Sequence, residues 1–435
     1  MKIVGGRWSN WSGGVTCKPR KIVAPKDEVE LAAAVRQAEG PVRAPGTGHS
    51  FTPLNASEGG VLIDLAAFKG LKSTDAERRT ARLSAATPLW QVGPLLYEKG
   101  LGLKNMGDID RQTLAGVVGT GTHGTGRALK NFSAEVAGFR MVLASGEVVE
   151  CSPSVNPDIF AAGRTSLGAL GVMTEITMSV RPAYKLIEDN FLLPIDELFR
   201  RLDELVAANR HFEFFWFPYA DVAVCKSLNE TDQPAPEPRT AEQMYERGEQ
   251  GSADQRAFGA INEVLPYAPF LLKQAHKLFS QLMPGTGKVR WSHEIFPSPR
   301  TTRFNEMEYA LPYANGPDAL REVVETIRKR RINTGFPIEY RSVAADDVWM
   351  SPFYGRESAT IAVHQYHRVD TGRLFDACEA IFRSHQGRPH WGKRHSRTAQ
   401  ELCGLYPKFE EFRAIRRRLD PTAKFLNPHL RAMFE

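Results

Sequence analysis

The sequence predicts an α+β fold in two domains, and three observations carry that expectation. Strand-like and helix-like segments alternate along the chain without a fixed repeat. Near Tyr184 the texture changes, from glycine-rich loops between short apolar strands to longer aromatic strands that bear charges. A chain of 435 residues is also too long for one simple core, so two domains sharing an interface are the default.

In chain order, Ile22-Val23 reads as a strand, residues 28–39 as a helix and residues 41–44 as a second short strand. These deliver the chain into Arg43-Ala44-Pro45-Gly46-Thr47-Gly48-His49-Ser50-Phe51. Gly46 and Gly48 permit positive φ there and let backbone N–H groups approach a ligand with no Cβ in the way, which suits a diphosphate. One Gly-x-Gly beside one histidine is a common turn. A second cluster, Gly116-Val117-Val118-Gly119-Thr120-Gly121-Thr122-His123-Gly124-Thr125-Gly126, makes coincidence a poor account of the pair. Ahead of both, Trp8-Ser9-Asn10-Trp11 reads as an irregular aromatic plug.

Between the loops, residues 60–65 and 80–85 read as strands and residues 89–99 as an amphipathic helix stopped by Gly100. Gly107, Asp108 and Thr113 lead into the second loop. A strand over 136–143, a hairpin turn at Ala144-Ser145-Gly146-Glu147, and a small-residue turn over 164–171 with a long alternating strand to Val180 follow. Loops that present N–H groups rather than basic side chains suit a bulky dinucleotide, which needs many donors at once.

Farther on, residues 191–194, 211–218 and 222–225 read as strands, 195–210 as a helix, 229–240 as a proline-rich linker and 241–283 as mostly helical. Residues 305–311, 317–331, 338–343 and 359–367 then give strand, helix, strand, strand. Residues two apart on a strand share a face, so Glu306 goes with Glu308, Glu339 with Arg341 and His364 with Tyr366. Such a face is a substrate surface or a solvated exterior of salt-bridged pairs, and pattern alone leaves both open. Pro389-His390-Trp391-Gly392-Lys393 adds an imidazole and an ammonium group. The chain closes with a helix ending near Leu419 and with Phe425-Leu426-Asn427-Pro428.

Composition narrows the function. At 42% hydrophobic and 24% charged residues this is the make-up of a soluble globular protein. Five scattered cysteines with no Cys-x-x-Cys pair argue against a disulfide framework and a zinc site, so no metal is expected. The net charge of +6 is dispersed among acids, which argues against a nucleic-acid partner. No run of about 18 apolar residues exists and the N-terminus lacks a secretory core, so a cytoplasmic enzyme without a transmembrane segment is expected.

Six motifs in order, the Gly46–Phe51 loop, Gly121-Thr122-His123-Gly124, Ser166-Leu167-Gly168-Ala169-Leu170-Gly171, Glu339-Tyr340-Arg341, His390-Trp391-Gly392-Lys393 and Phe425-Leu426-Asn427-Pro428, resemble the vanillyl-alcohol-oxidase-type flavoproteins. Within them the chain resembles the sugar-1,4-lactone branch, which holds gulonolactone and arabinonolactone oxidases and dehydrogenases, with alditol oxidases nearby; the likeness is strongest to the bacterial L-gulono-1,4-lactone dehydrogenases.

The resemblance implies an FAD-binding α+β domain over residues 1–182, a substrate (cap) domain with a mixed sheet and helices over 183–395, and a segment returning to the FAD domain over 396–435. Pro45, Gly46, Thr47, Gly48, Ser50, Gly119, Thr120, Gly121, Thr122, His123 and Gly124 would cradle the pyrophosphate of FAD, and Gly168, Gly171 and Val172 would lie near the adenosine. Gly107, Asp108, Thr113, Gly116, His390 and Lys393 would also contact the cofactor. His49 falls where family members attach flavin covalently through the 8α-methyl group.

Glu339, Arg341, His364 and Lys393 match positions that line the alditol-oxidase substrate pocket, and Glu306 stands where a glutamine is found there. That change, with Tyr366 replacing a small hydroxyl residue, favours a ring over a linear polyol. The implied reaction oxidises the hydroxyl beside the carbonyl of an aldono-1,4-lactone by hydride transfer to flavin N5, with xylitol-like polyols as the alternative substrate. Arg341 and Lys393 would hold the developing alkoxide, and Glu339 or His364 would take the proton, the intrinsic pKa of imidazole favouring His364. Molecular oxygen, a cytochrome or a quinone-type acceptor would receive the electrons. Oxygen access is expected to be gated at Ala115-Gly116-Val117, with Val117 closing the path if it points inward.

Overall fold

A computed structural model describes residues 3–282 and 285–435; Met283, the last residue of the expected helical stretch, lies outside the described residues. Lys21–Val23 and Val42–Arg43 flank Val61–Ile63 in a parallel three-stranded sheet. Parallel neighbours need a crossover, and the Glu28–Gln37 helix supplies it. Asp27 caps that helix by accepting from the Glu30 N–H at 2.8 Å, while Leu31, Ala32 and Val35 form its buried stripe.

Beside it lies an antiparallel sheet in the order Val148–Cys151, Val136–Val142, Val172–Pro182, Thr80–Ser84, Leu71–Asp75, with Leu101–Leu103 paired to the end of Val172–Pro182. Gly146, at φ 82°, turns the expected hairpin. Leu71–Asp75 is a strand the sequence pattern conceals: its outward residues are polar and half or fully exposed, and only pairing with Thr80–Ser84 defines it. The segment read as an irregular plug is regular at Trp8, which is buried in the strand Arg7–Ser9 of a three-stranded N-terminal sheet.

The second domain is organised by eight strands in the order Lys288–Trp291, Lys185–Pro194, Val222–Glu230, His211–Trp216, Ile338–Val343, Ser358–Tyr366, Phe304–Pro312, Arg388–Pro389. Mixed pairing belongs to the fold as a whole; this sheet is antiparallel throughout. Its strands alternate strictly. Phe212, Phe214, Met307, Tyr309, Ile338, Tyr340, Ile361 and Val363 pack under the helices Ile195–Ala208, Gly316–Lys329 and Gly372–Ser384. Each such fully buried apolar side chain contributes about 1.5–3 kcal/mol, which pins the register. Glu213, Lys226, Glu306, Glu308, Glu339, Arg341 and His364 are thereby forced onto the opposite face, toward the first domain.

The chain then returns. Leu402, Tyr406, Phe409, Phe412, Leu430 and Phe434 join one core with Leu83, Leu89, Val117 and Ile176. Asn427 caps the helix Pro428–Phe434 through the Leu430 N–H, and its amide donates to the carbonyls of Pro53 and Ala56 at 2.7 Å each. The closing motif therefore braces the first glycine loop. Among the described residues no helix is long and apolar enough to cross a membrane.

Candidate active site

A cavity of about 470 Å³ runs between the two glycine loops, lined by Pro45, Gly46, Thr47, Ser50, Thr113, Gly116, Gly119, Thr120, Gly168, Gly171 and Val172. Gly48 takes φ 80°, but Gly46 does not need a left-handed conformation: a Cβ there would stand 2.4 Å from Thr113 Oγ1. At Gly119 a Cβ would meet nothing within 4 Å and would project into the cavity. Val117 points the other way, into the apolar core, so it does not close a path there, whereas Ala115 and Gly116 line the cavity.

Gly48, His49, Gly121 and Gly124 lie outside that lining. Gly121 ends the Leu114–Thr120 helix at φ 71°, and Gly124 packs its Cα face on Met106. His49 is held by the N-terminal segment: Trp11 stacks on it at 5.6 Å, and the Trp11 N–H donates to Gly48 O at 2.8 Å. Burial, with the charges of Lys393 and Arg111, lowers the His49 imidazole to about 4, so it is neutral.

Gly107, Asp108, Thr122, His123, His390 and Lys393 line instead a small inner cavity of about 60 Å³, together with Glu306, Glu339, Arg341 and His364. All five expected catalytic residues meet there. The sheet register sets this, since Glu306 lies opposite His364 and Glu213 opposite both Lys226 and Arg341. His364 Nε2 is 3.5 Å from Glu306 and 4.0 Å from Glu339, and its buried Nδ1 has no partner among the described residues. Tyr366 turns its hydroxyl away, onto Glu263.

Asp108, expected at the cofactor, directs its carboxylate to the eight-stranded sheet because three cations draw it there. It accepts from Arg341 Nη2 at 2.7 Å and lies 3.7 Å from both Lys226 and Arg300. Arg341 also donates through Nε to Glu213 at 2.9 Å and contacts Glu339. Burial pushes Asp108 up, yet Lys226, Arg341 and Arg300 hold it well below the usual carboxylate range. Glu339 goes the other way. Burial, reinforced by Asp108 and Glu213, outweighs the pull of Arg341 and raises it to about 7.

Glu306 contacts Lys393, whose ammonium lies 5.1 Å from the Phe51 ring centre. Burial opposes its ionisation, but Lys393 and His364 lower it to about 2. Beneath it, Glu308 bonds His123 Nε2 at 2.7 Å, while His123 Nδ1 donates to Gly124 O at 2.8 Å.

Residues 176–433 match the family described as D-arabinono-1,4-lactone oxidase, and residues 19–152 the one described as FAD binding domain. The chain belongs to the D-arabinono-1,4-lactone oxidase family. The relatives include an "L-gulono-1,4-lactone dehydrogenase" of Mycobacterium tuberculosis, 39% identical over 428 residues that cover 98% of each chain. An "L-gulonolactone oxidase" of Mus musculus is 30% identical, covering 99% of this chain and 98% of that one, and an "Alditol oxidase" of a Streptomyces species is 31% identical, covering 98% and 99%. Cholesterol oxidase from B. sterolicum shares the fold, with a TM-score of 0.81 at 18% identity over 99% of this chain and 97% of that one.

Like its family, the chain is an FAD-dependent oxidoreductase with a two-domain fold. The long cavity fits the dinucleotide: Gly119 leaves open space where any side chain would intrude, and Gly46 allows the loop to close on Thr113. Several site residues of this family member carry no signal in the motifs. Glu213 and Lys226 sit at period 2 between buried neighbours and were discoverable from that alternation. Arg300 lies in an irregular proline-flanked loop with no periodicity to find it by.

Proposed function

We propose that this enzyme oxidises the hydroxyl beside the carbonyl of an aldono-1,4-lactone of the L-gulono-1,4-lactone type. One observation carries the reading: Glu306, Glu339, Arg341, His364 and Lys393 converge on a buried cavity against the FAD-binding domain. The name of the 39% identical relative supports a lactone over a linear polyol. FAD would supply the hydride acceptor, with Gly46, Thr47, Ser50, Gly119 and Thr120 holding it, and His49, whose neutral imidazole is the nucleophilic form, would be its point of covalent attachment.

The protein's own task is charge and proton management. Arg341 keeps two donors on Asp108 and Glu213, which orient its guanidinium rigidly. It and Lys393 hold the substrate oxygen as negative charge develops among largely buried side chains. Glu306, kept ionised by Lys393 and His364, is too weak a base to take the proton. Glu339 and His364, 4.0 Å apart, form the accepting pair, and Glu339 near 7 is matched to neutral pH.

The experiment is anaerobic mixing of the oxidised holoenzyme with L-gulono-1,4-lactone or xylitol. The lactone is expected to bleach the flavin at least about tenfold faster than xylitol, a difference of about 1.4 kcal/mol in barrier. Faster bleaching by xylitol would make the enzyme an alditol oxidase. We further propose a dye, cytochrome or quinone-type acceptor rather than oxygen, in keeping with the name of the 39% identical dehydrogenase, and a cytoplasmic enzyme.

A further inference from the structure

A second, larger cavity of about 510 Å³ adjoins the inner one, and the two share Asp108, Arg300, Phe304, Glu339 and His364. Its polarity is graded. The inner end carries these charged groups, whereas Phe215, Phe258, Ile261, Phe279 and Phe336 form apolar walls between the sheet and the helices Ala253–Val264 and Leu272–Leu282. Glu188, Arg247 and Lys288 lie along another side. A sugar lactone is polar all round and leaves such walls wet.

Apolar residues also continue along the chain past those that line the cavity. Phe258 and Ile261 lie three residues apart on the Ala253–Val264 helix, hence on one face. Both line the cavity, and Val264 at the end of the same helix is 50% exposed. Just beyond, Tyr267 is 87% and Phe270 76% exposed, a density of bare aromatic surface that a polar substrate does not require.

We infer that this cavity binds the electron acceptor, a quinone with an apolar tail. The inference rests on the proposed oxidation of an alcohol. A planar ring with two carbonyl oxygens would set its head among Arg300 and the inner polar groups, and its tail along Phe258, Ile261 and Phe279. The net chemistry balances: the CH–OH carbon and its hydroxyl lose two electrons and two protons to become C=O, and the quinone gains both to become the quinol. Because the inner end is common to both ligands, the lactone product leaves before the quinone enters.

Binding is tested without turnover, by calorimetric titration of oxidised holoenzyme with benzoquinones bearing no tail, one isoprenoid unit and two. The dissociation constant is expected to fall about tenfold or more on adding the first unit, within the transfer free energy of five carbons. Ile261→Asp should erase that tail-dependent gain, read as the ratio of the two constants in one variant. A constant indifferent to tail length in the natural protein, or a gain that survives Ile261→Asp, overturns the inference. Should Ile261→Asp fail to fold, the tail series on the unaltered enzyme decides alone. Flavin bleaching by lactone is measured separately; its failure sinks the lactone reading and leaves the binding result standing, and the converse pattern sinks only the quinone.

Discussion

Replacing Arg341 by alanine separates a catalytic cation from a structural one. Arg341 is one of three cations, with Lys226 and Arg300, set against Asp108, Glu213 and Glu339, so its loss leaves three buried carboxylates facing two positive groups. Breaking a buried pair from one side costs about 3–5 kcal/mol, and removing one partner of the developing alkoxide costs about two to three orders of magnitude in turnover. Thermal melting followed by flavin fluorescence reads the first, and stopped-flow bleaching by lactone well below the melting midpoint reads the second. Asp108→Asn added to Arg341→Ala should recover part of the stability and none of the rate. The pH profile gives a further check. Glu339 must be deprotonated to accept a proton, so the unaltered rate should rise through about pH 7 to a plateau. Arg341 lowers Glu339, so its removal shifts that rise to higher pH. A rate within about threefold of the unaltered enzyme, with flavin retained, would refute the reasoning and leave Arg341 as an ion-pair partner only.

Other outcomes follow from the same geometry. Acid precipitation should carry the yellow colour down with the protein, and His49→Ala should release it into the supernatant; colour released from the unaltered protein would disprove the linkage. Gly119→Leu, whose side chain would enter the open cavity, should purify with about a tenth or less of the normal flavin content by absorbance; full occupancy would show that the dinucleotide lies elsewhere. Lys393→Ala is expected to lower turnover by about two orders of magnitude with flavin content little changed, measured by the same bleaching assay. Reduced enzyme should reoxidise in air more slowly than with an artificial dye, and Ala115→Gly should speed the air reaction; prompt reoxidation of the unaltered enzyme would make it an oxidase.

How much of this is legible in the sequence alone differs by residue. The glycine loops, the helix ending at Leu419 and the period-2 pairs are local: backbone freedom and strand alternation act within a few residues, so the order of letters determines them. That Glu339, Arg341, His364 and Glu306 share one face could likewise be read, but whether that face was wet or buried could not. Burial depends on what a second domain lays over it, and here the loop carrying Asp108 closes the face from the other side. The same holds for protonation. Glu306 and Glu339 are identical letters, yet one is held at about 2 and the other at about 7: burial raises both, but Lys393 and His364 overcome it at the first, while Asp108 and Glu213 add to it at the second. Val117 shows the limit at its smallest scale: its place beside the second glycine loop is in the sequence, but the helical turn that buries it and leaves Ala115 on the cavity is set by packing against a core assembled from both ends of the chain.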